Sequence, residues 1–176
     1  MLETLISSKT RVKLLLKFFL NSSTTGYLRN LEEEFGESTN AIRLELNKME
    51  KAGLLKTNLE GNKKIFQANN KHPLFPDMQQ IIRKHVGLDT IIENVIKQLG
   101  DVSQVYLTGN YAKGIGGDII DLTFIGNINQ EYLIVLIKKA EKLIGKKVRY
   151  IIYNEEEGKH VFSLKAEQES LLMWHK

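Results

Sequence analysis

The 176-residue chain has no cysteine. That excludes disulfide staples, thiolate zinc sites and cysteine nucleophiles together, and it suits a reducing compartment. Proline is nearly as scarce. Pro73 and Pro76 are the only two, so the rest of the chain lacks the residue that most often breaks helices and central strands. No apolar run approaches the ~20 residues needed to span a bilayer. The most apolar stretch, residues 2–20, is interrupted by Lys13 and Lys17 at helical spacing, and no small-residue cleavage site follows. It reads as an amphipathic helix rather than a signal peptide, which leads us to expect a cytoplasmic protein with no membrane partner. The four histidines, His72, His85, His160 and His175, are scattered without ligand spacing. Neither a metal site nor a cofactor is expected from them.

What is present describes an ordinary globular chain: 42% hydrophobic and 26% charged residues, enough apolar material for a core without staples. The net charge of +4 is unevenly placed. Residues 1–73 hold twelve Lys and Arg against eight Asp and Glu, whereas residues 74–176 hold thirteen of each. The positive excess of the first part hints at a polyanionic partner for that part.

Periodicity divides the chain. Residues 2–20 predict a helix with Leu5, Val12, Leu15, Leu16 and Phe19 on one face. A polar break follows at residues 21–26, then a short helix over 27–35, which Thr24 or Thr25 could cap. Gly36-Glu37-Ser38 reads as a tight turn, and Ser38 as the N-cap of a third helix over 39–52 with Ile42, Leu46 and Met49 inward. Two strands, 54–59 and 63–68, flank a turn at Glu60-Gly61-Asn62. Residues 69–76 read as a linker, with helices over 77–86 and 88–99. The pattern then alternates: strand 102–108, a glycine-rich turn over 109–117, strand 119–125, helix 129–144, strand 147–153, and a last strand near Leu171–Trp174. The fold class expected is α+β, an N-terminal winged helix-turn-helix domain (1–73), a connecting segment (74–87) and a small α/β domain (88–176).

The order helix, short helix, turn, longer helix, hairpin is the winged helix-turn-helix plan, in which the third helix enters a major groove and the hairpin lies over phosphates. The third helix divides its labour accordingly. Asn40, Arg43 and Asn47 could read base edges, while Ser38, Thr39, Lys48 and the hairpin's Lys63 and Lys64 suit phosphates. Lys51-Ala52-Gly53-Leu54-Leu55 followed by Glu60-Gly61-Asn62 resembles the close of the winged domain in repressors of the arsenic-repressor-like superfamily. The resemblance covers about residues 5–73. It implies double-stranded DNA as partner and a homodimer formed through the first helix and residues 77–99.

In the second part, residues 105–114 (VYLTGNYAKG) and 121–126 (DLTFIG) are similar to the polymerase-β-like minimal nucleotidyltransferases. That family runs a strand into Gly-Ser, then Ala-Arg-Gly, and carries Ser-Asp-x-Asp-Leu on the next strand. Two carboxylates at i and i+2 share one strand face and bind Mg²⁺ for phosphoryl attack. Here Asp121 falls on the second carboxylate, Ile119 on the first, Asn110 on the Ser and Lys113 on the Arg. The later strand 148–153, where a third carboxylate is expected, has none. The resemblance therefore implies candidate nucleotide- or phosphate-binding residues in Gly109, Asn110, Lys113, Gly114 and Asp121. It implies a domain without catalysis that serves dimerisation or binds a nucleotide or protein effector. The function expected is a sequence-specific DNA-binding transcriptional regulator that is not an enzyme. The alternatives are an active Mg²⁺-dependent nucleotidyltransferase guided to its target by the winged domain, or a winged-helix protein–protein adaptor.

Overall fold

The computed structural model describes residues 2–164 and 170–176. The chain forms two compact units, Met1–His85 with Gly114–Gly116, and Val86–Lys113 with Gly117–Lys176. No helix among the described residues is long and apolar enough to cross a membrane.

In the first unit, the helix expected over residues 2–20 is divided. α1 spans Leu2–Leu5, α2 spans Lys9–Leu15, and a π-helical turn continues it over Leu16–Leu20. The break comes from Ser8, whose hydroxyl accepts a hydrogen bond from Arg11 N at 3.2 Å and so starts a new helix. Leu5 consequently stands exposed, while Leu14, Phe18 and Phe19 are fully buried. Lys17, which in the sequence marks a polar face, is itself buried, its charge met by Glu34 at 2.9 Å.

A two-residue strand β1 (Thr25–Gly26), hidden within the expected polar break, precedes α3 (Leu28–Phe35). Neither Thr24 nor Thr25 caps α3. Tyr27 occupies the N-cap and donates its main-chain N–H to Asn30 Oδ1, while the Thr24 hydroxyl turns back to the Lys17 carbonyl. α4 (Thr39–Lys51) starts at Ser38, whose Oγ accepts from Ala41 N. It buries Ile42, Leu46 and Met49 as the periodicity predicts. Glu45 is buried on the same side. Burial raises its carboxyl pKa, but two bonds and the charge of Arg11 outweigh that and hold it below the ordinary value. β2 (Leu55–Glu60) and β3 (Lys63–Ala68) form an antiparallel hairpin, with β1 on the far side of β3 to give the order β1-β3-β2. α5 (Phe75–Val86) begins two residues earlier than the periodicity implies, with Pro76 in its first turn, where a missing N–H costs nothing.

The second unit opens with α6 (Leu88–Ile91), a π-helical turn (Ile92–Ile96) and α7 (Lys97–Leu99). β4 (Val102–Thr108) leads into the single turn α8 (Gly109–Ala112), followed by β5 (Ile119–Gly126), α9 (Gln130–Ile144), β6 (Lys147–Tyr153), α10 (Glu155–Leu164) and β7 (Leu171–His175). The sheet order is β6-β5-β4-β7, with β5 and β6 parallel and the other pairs antiparallel. Alternation sets the two faces. Val105, Leu107, Ile120, Leu122 and Phe124 point inward and are buried, as are Leu88, Ile91 and Val95 and, from α9, Leu133, Leu136 and Ala140. Each such side chain contributes roughly 1.5–3 kcal/mol on burial. The opposite face carries Tyr106, Thr108, Ile119, Asp121, Thr123 and Ile125. α10 covers one end of it, with Gly158 packed on Ile125 and Phe162 stacked on Tyr106 at 4.0 Å between ring centroids. At the other end Ile119 and, on β6, Arg149 and Ile151 are exposed.

Candidate functional site

The first unit gathers part of its predicted set. Thr39, Arg43 and Asn47 recur every four residues along α4 and so share one helix face. They line a groove of about 630 Å³ together with Lys63 and Lys64 of the hairpin. Tyr27, Leu28 and Phe66 are its apolar lining, and Arg29, Glu32 and Asn62 complete it. Tyr27, Arg29 and Asn62 escape sequence reasoning because the pairing of β1 with β3, which brings the start of α3 to the hairpin, leaves no periodic signal. Arg43 and Asn47 are exposed. Lys63 Nζ sits 4.5 Å from the centre of the Tyr27 ring, a cation–π contact. Lys64 is bound to Glu50 at 2.6 Å, and Thr57 donates to the other Glu50 oxygen. The bond from Lys64 holds the Glu50 carboxyl below its ordinary pKa. Ser38, Asn40 and Lys48 lie outside the groove lining. Ser38 is engaged in capping α4, and Lys48 lies 3.6 Å from Glu45.

In the second unit, β4 delivers Gly109 and β5 delivers Asp121 to one point, because Thr108 pairs with Asp121 across the antiparallel ladder. Gly109 has φ +63°, and a Cβ there would collide with the Asp121 carboxylate. Only glycine allows this approach. On the other side, the parallel register sets Asp121 opposite Arg149, and Arg149 Nε donates to Asp121 Oδ1 at 2.5 Å. This bond and the charge behind it raise the Arg149 pKa above its ordinary value. Arg149 is the residue that the sequence reading overlooked. It lies on the strand where a third carboxylate is expected, in phase with Asp121.

The remaining candidates divide. Asn110 and Lys113 are exposed around α8. Gly114 is buried in the first unit, where a Cβ would collide with the main chain at Lys17, so its glycine answers to packing. Neighbouring Tyr111 is buried and donates its hydroxyl to the Gly117 carbonyl. Burial pushes its pKa up to about 12.

The residues present do not fit a two-cation centre. Ile119 stands at the position two before Asp121, Asp121 is engaged by a guanidinium, and no three His, Asp or Glu side chains converge among the described residues. A lone carboxylate already paired with a cation cannot hold divalent ions in defined geometry.

No family model matches the sequence, and no curated protein matches it. Solved structures do. A complex of a tri-AMPylated HEPN toxin with an MNT antitoxin from Shewanella oneidensis is 14% identical, with 53% of this chain and 73% of that one covered and a TM-score of 0.39. A toxin–antitoxin structure with AMP-PNP is 15% identical over 51% and 73%, at 0.41. A Sulfolobus solfataricus protein assigned as a nucleotidyltransferase is 23% identical over 54% and 83%, at 0.36. The expectation of a DNA-binding transcriptional regulator is not upheld: these neighbours are named for nucleotidyl transfer and toxin–antitoxin pairing, and none of the three for transcriptional control. The expectation that the chain is not an enzyme is likewise not upheld, the Sulfolobus protein being named for nucleotidyl transfer. The matches extend over about half of this chain, and at these identities the likeness is one of fold alone.

Proposed function

We propose that the chain is a nucleotidyl-transfer enzyme. Residues 88–176 bind a nucleoside triphosphate on the open end of the outer sheet face and pass its nucleotidyl group to a hydroxyl of a partner. The carrying observation is the Asp121 carboxylate, pressed against the Gly109 turn and oriented by Arg149. The acceptor oxygen bonds to the α-phosphorus, the bond from that phosphorus to the bridging oxygen breaks, and pyrophosphate leaves. Asp121 takes the acceptor's proton as general base. Asn110 and Lys113 are the exposed polar groups nearest in sequence to Gly109 and are proposed to face the nucleotide. The acceptor is proposed to be a protein, the class of substrate named in the Shewanella complex. Incubation with each of the four α-labelled ribonucleoside triphosphates and the proteins that co-purify with the chain should give label that Asp121→Asn abolishes. No label with any triphosphate, or undiminished label in that variant, sinks the proposal.

A specific observation favours a further role for residues 1–73, read as a winged helix-turn-helix that holds duplex DNA. Thr39, Arg43, Asn47, Lys63 and Lys64 line one groove. Arg43 and Asn47 would reach bases, and Thr39, Lys63 and Lys64 phosphates, with Ser38, Asn40 and Lys48 flanking. Fluorescence anisotropy in a salt series should show Lys63→Ala with Lys64→Ala weakening binding to all sequences and flattening the salt slope. An unchanged slope refutes the role. A second copy of the chain is also a proposed partner, paired through the exposed Leu5, Leu74 and Ile81. Sedimentation equilibrium tests it, and a monomer at high micromolar concentration excludes it.

A further inference from the structure

The sheet face that a nucleotidyltransferase would use for divalent cations carries a fixed organic cation in this chain. Asp121 is largely enclosed, with its side chain 15% exposed, whereas Arg149 is 71% exposed. The bond between them uses Arg149 Nε alone, and Asp121 is the sole partner of Arg149 among the described residues. A guanidinium anchored through Nε keeps its two terminal nitrogens free of protein partners among the described residues, and their N–H groups form a planar fork on a largely exposed side chain. That fork matches two oxygens of a phosphate. The arrangement comes from the backbone. β5 and β6 run parallel with Ile119 opposite Lys147, Asp121 opposite Arg149 and Thr123 opposite Ile151, so one sheet face presents Lys147 two residues before Arg149. Lys147 is exposed and only loosely tied, 3.3 Å from Glu141. Ile119 and Ile151, 44% and 53% exposed, stand along the same face to either side of the Asp121–Arg149 pair. They offer apolar surface beside a cationic centre, as a nucleobase attached to phosphates requires.

The charge balance decides against a metal. A divalent ion at Asp121 would have to displace a charge-assisted bond, would bring a double positive charge next to a guanidinium, and would find no second carboxylate in phase. We infer that Arg149, held by Asp121, binds the phosphate chain of a nucleoside triphosphate in place of divalent cations, so that nucleotide binding by this chain needs no metal. The inference rests on the nucleotidyl-transfer reading above and deepens it.

Titration of the full chain with the fluorescent nucleotide mant-ATP tests it, once in EDTA and once in excess Mg²⁺. Equal affinity in both conditions is expected, with at least a tenfold loss for Arg149→Gln. Arg149→Lys, which keeps the charge and loses the fork, should fall between. Arg149→Glu, which sets a carboxylate opposite Asp121, should lose binding in EDTA and regain part of it with Mg²⁺. Thermal melting by circular dichroism confirms that these surface variants fold. Binding that appears only with Mg²⁺, or Arg149→Gln binding as tightly as the unaltered chain, overturns the inference while leaving a nucleotide site in place. No binding in either condition overturns the nucleotidyl-transfer reading itself, and the inference with it.

Discussion

Replacing Gly109 by Ala should damage the second unit more than the same change at Gly145. Two costs combine. The backbone has φ +63°, and an L side chain in that region costs about 1–2 kcal/mol. The new Cβ would also strike the Asp121 carboxylate, which can escape only by leaving its rotamer, at about 0.5–1.5 kcal/mol. Together these come to about 1.5–3.5 kcal/mol. Gly145 supplies the control. It closes α9 with φ +67° but has nothing within 4 Å of a would-be Cβ, so Gly145→Ala isolates the backbone cost alone, about 1–2 kcal/mol. For a unit of this size each kcal/mol lowers the melting temperature by roughly 4–8 °C. Calorimetry of the two variants should therefore place Gly109→Ala at least about 2 °C below Gly145→Ala. Equal melting temperatures would refute the packing of Gly109 on Asp121. In mant-ATP titrations Gly109→Ala should also weaken binding while Gly145→Ala leaves it intact.

Lys17→Met should cost about 3–5 kcal/mol, because it strands Glu34 in the interior, and adding Glu34→Leu should recover most of the loss. Urea midpoints for the single and double variants measure this, and an additive double variant refutes a coupled pair. Phe18→Ala, at a fully buried position, should cost about 3–5 kcal/mol by the same measurement. Glu37, Glu45, Glu50 and Glu141 all have folded pKa values below their ordinary 4.5. Their contribution to stability is therefore present above pH 4.5 and is lost as pH falls through the depressed folded values. Urea midpoints should be flat between pH 5 and 7 and decline below about pH 4.5. A midpoint that holds or rises with acid would contradict these ion pairs.

Much of the fold was legible because its signals are local. Periodicity located β4, β6 and α9 within a residue or so, and the resemblance to the minimal nucleotidyltransferases pointed to Gly109 and Asp121. What escaped depends on pairing between distant segments. Lys17 reads as a surface residue until Glu34 closes over it. β1 is two residues long and exists only through its ladder with Gln67 and Phe66. Arg149 is invisible as a site residue in a one-dimensional search for carboxylates, since its significance lies in the parallel register that sets it against Asp121. The division of residues 2–20 turned on one hydroxyl, Ser8, competing for the main chain against an otherwise continuous helical pattern.

The sheet order β6-β5-β4-β7 also has a temporal side. β7 completes the free edge of β4, yet its register pairs Leu107 with Leu171 and Gln104 with His175, so that edge waits until residues 171–175 are made. At roughly 5–20 residues per second the ribosome needs about 3–13 s to cover that interval. During it β4 presents an unpaired row of main-chain groups, the kind of edge that recruits strands from other molecules. The first unit, with all its strand partners already synthesised, can fold meanwhile. Sequence-distant closure of this one ladder leaves nascent chains of the second unit open to strand recruitment until β7 docks.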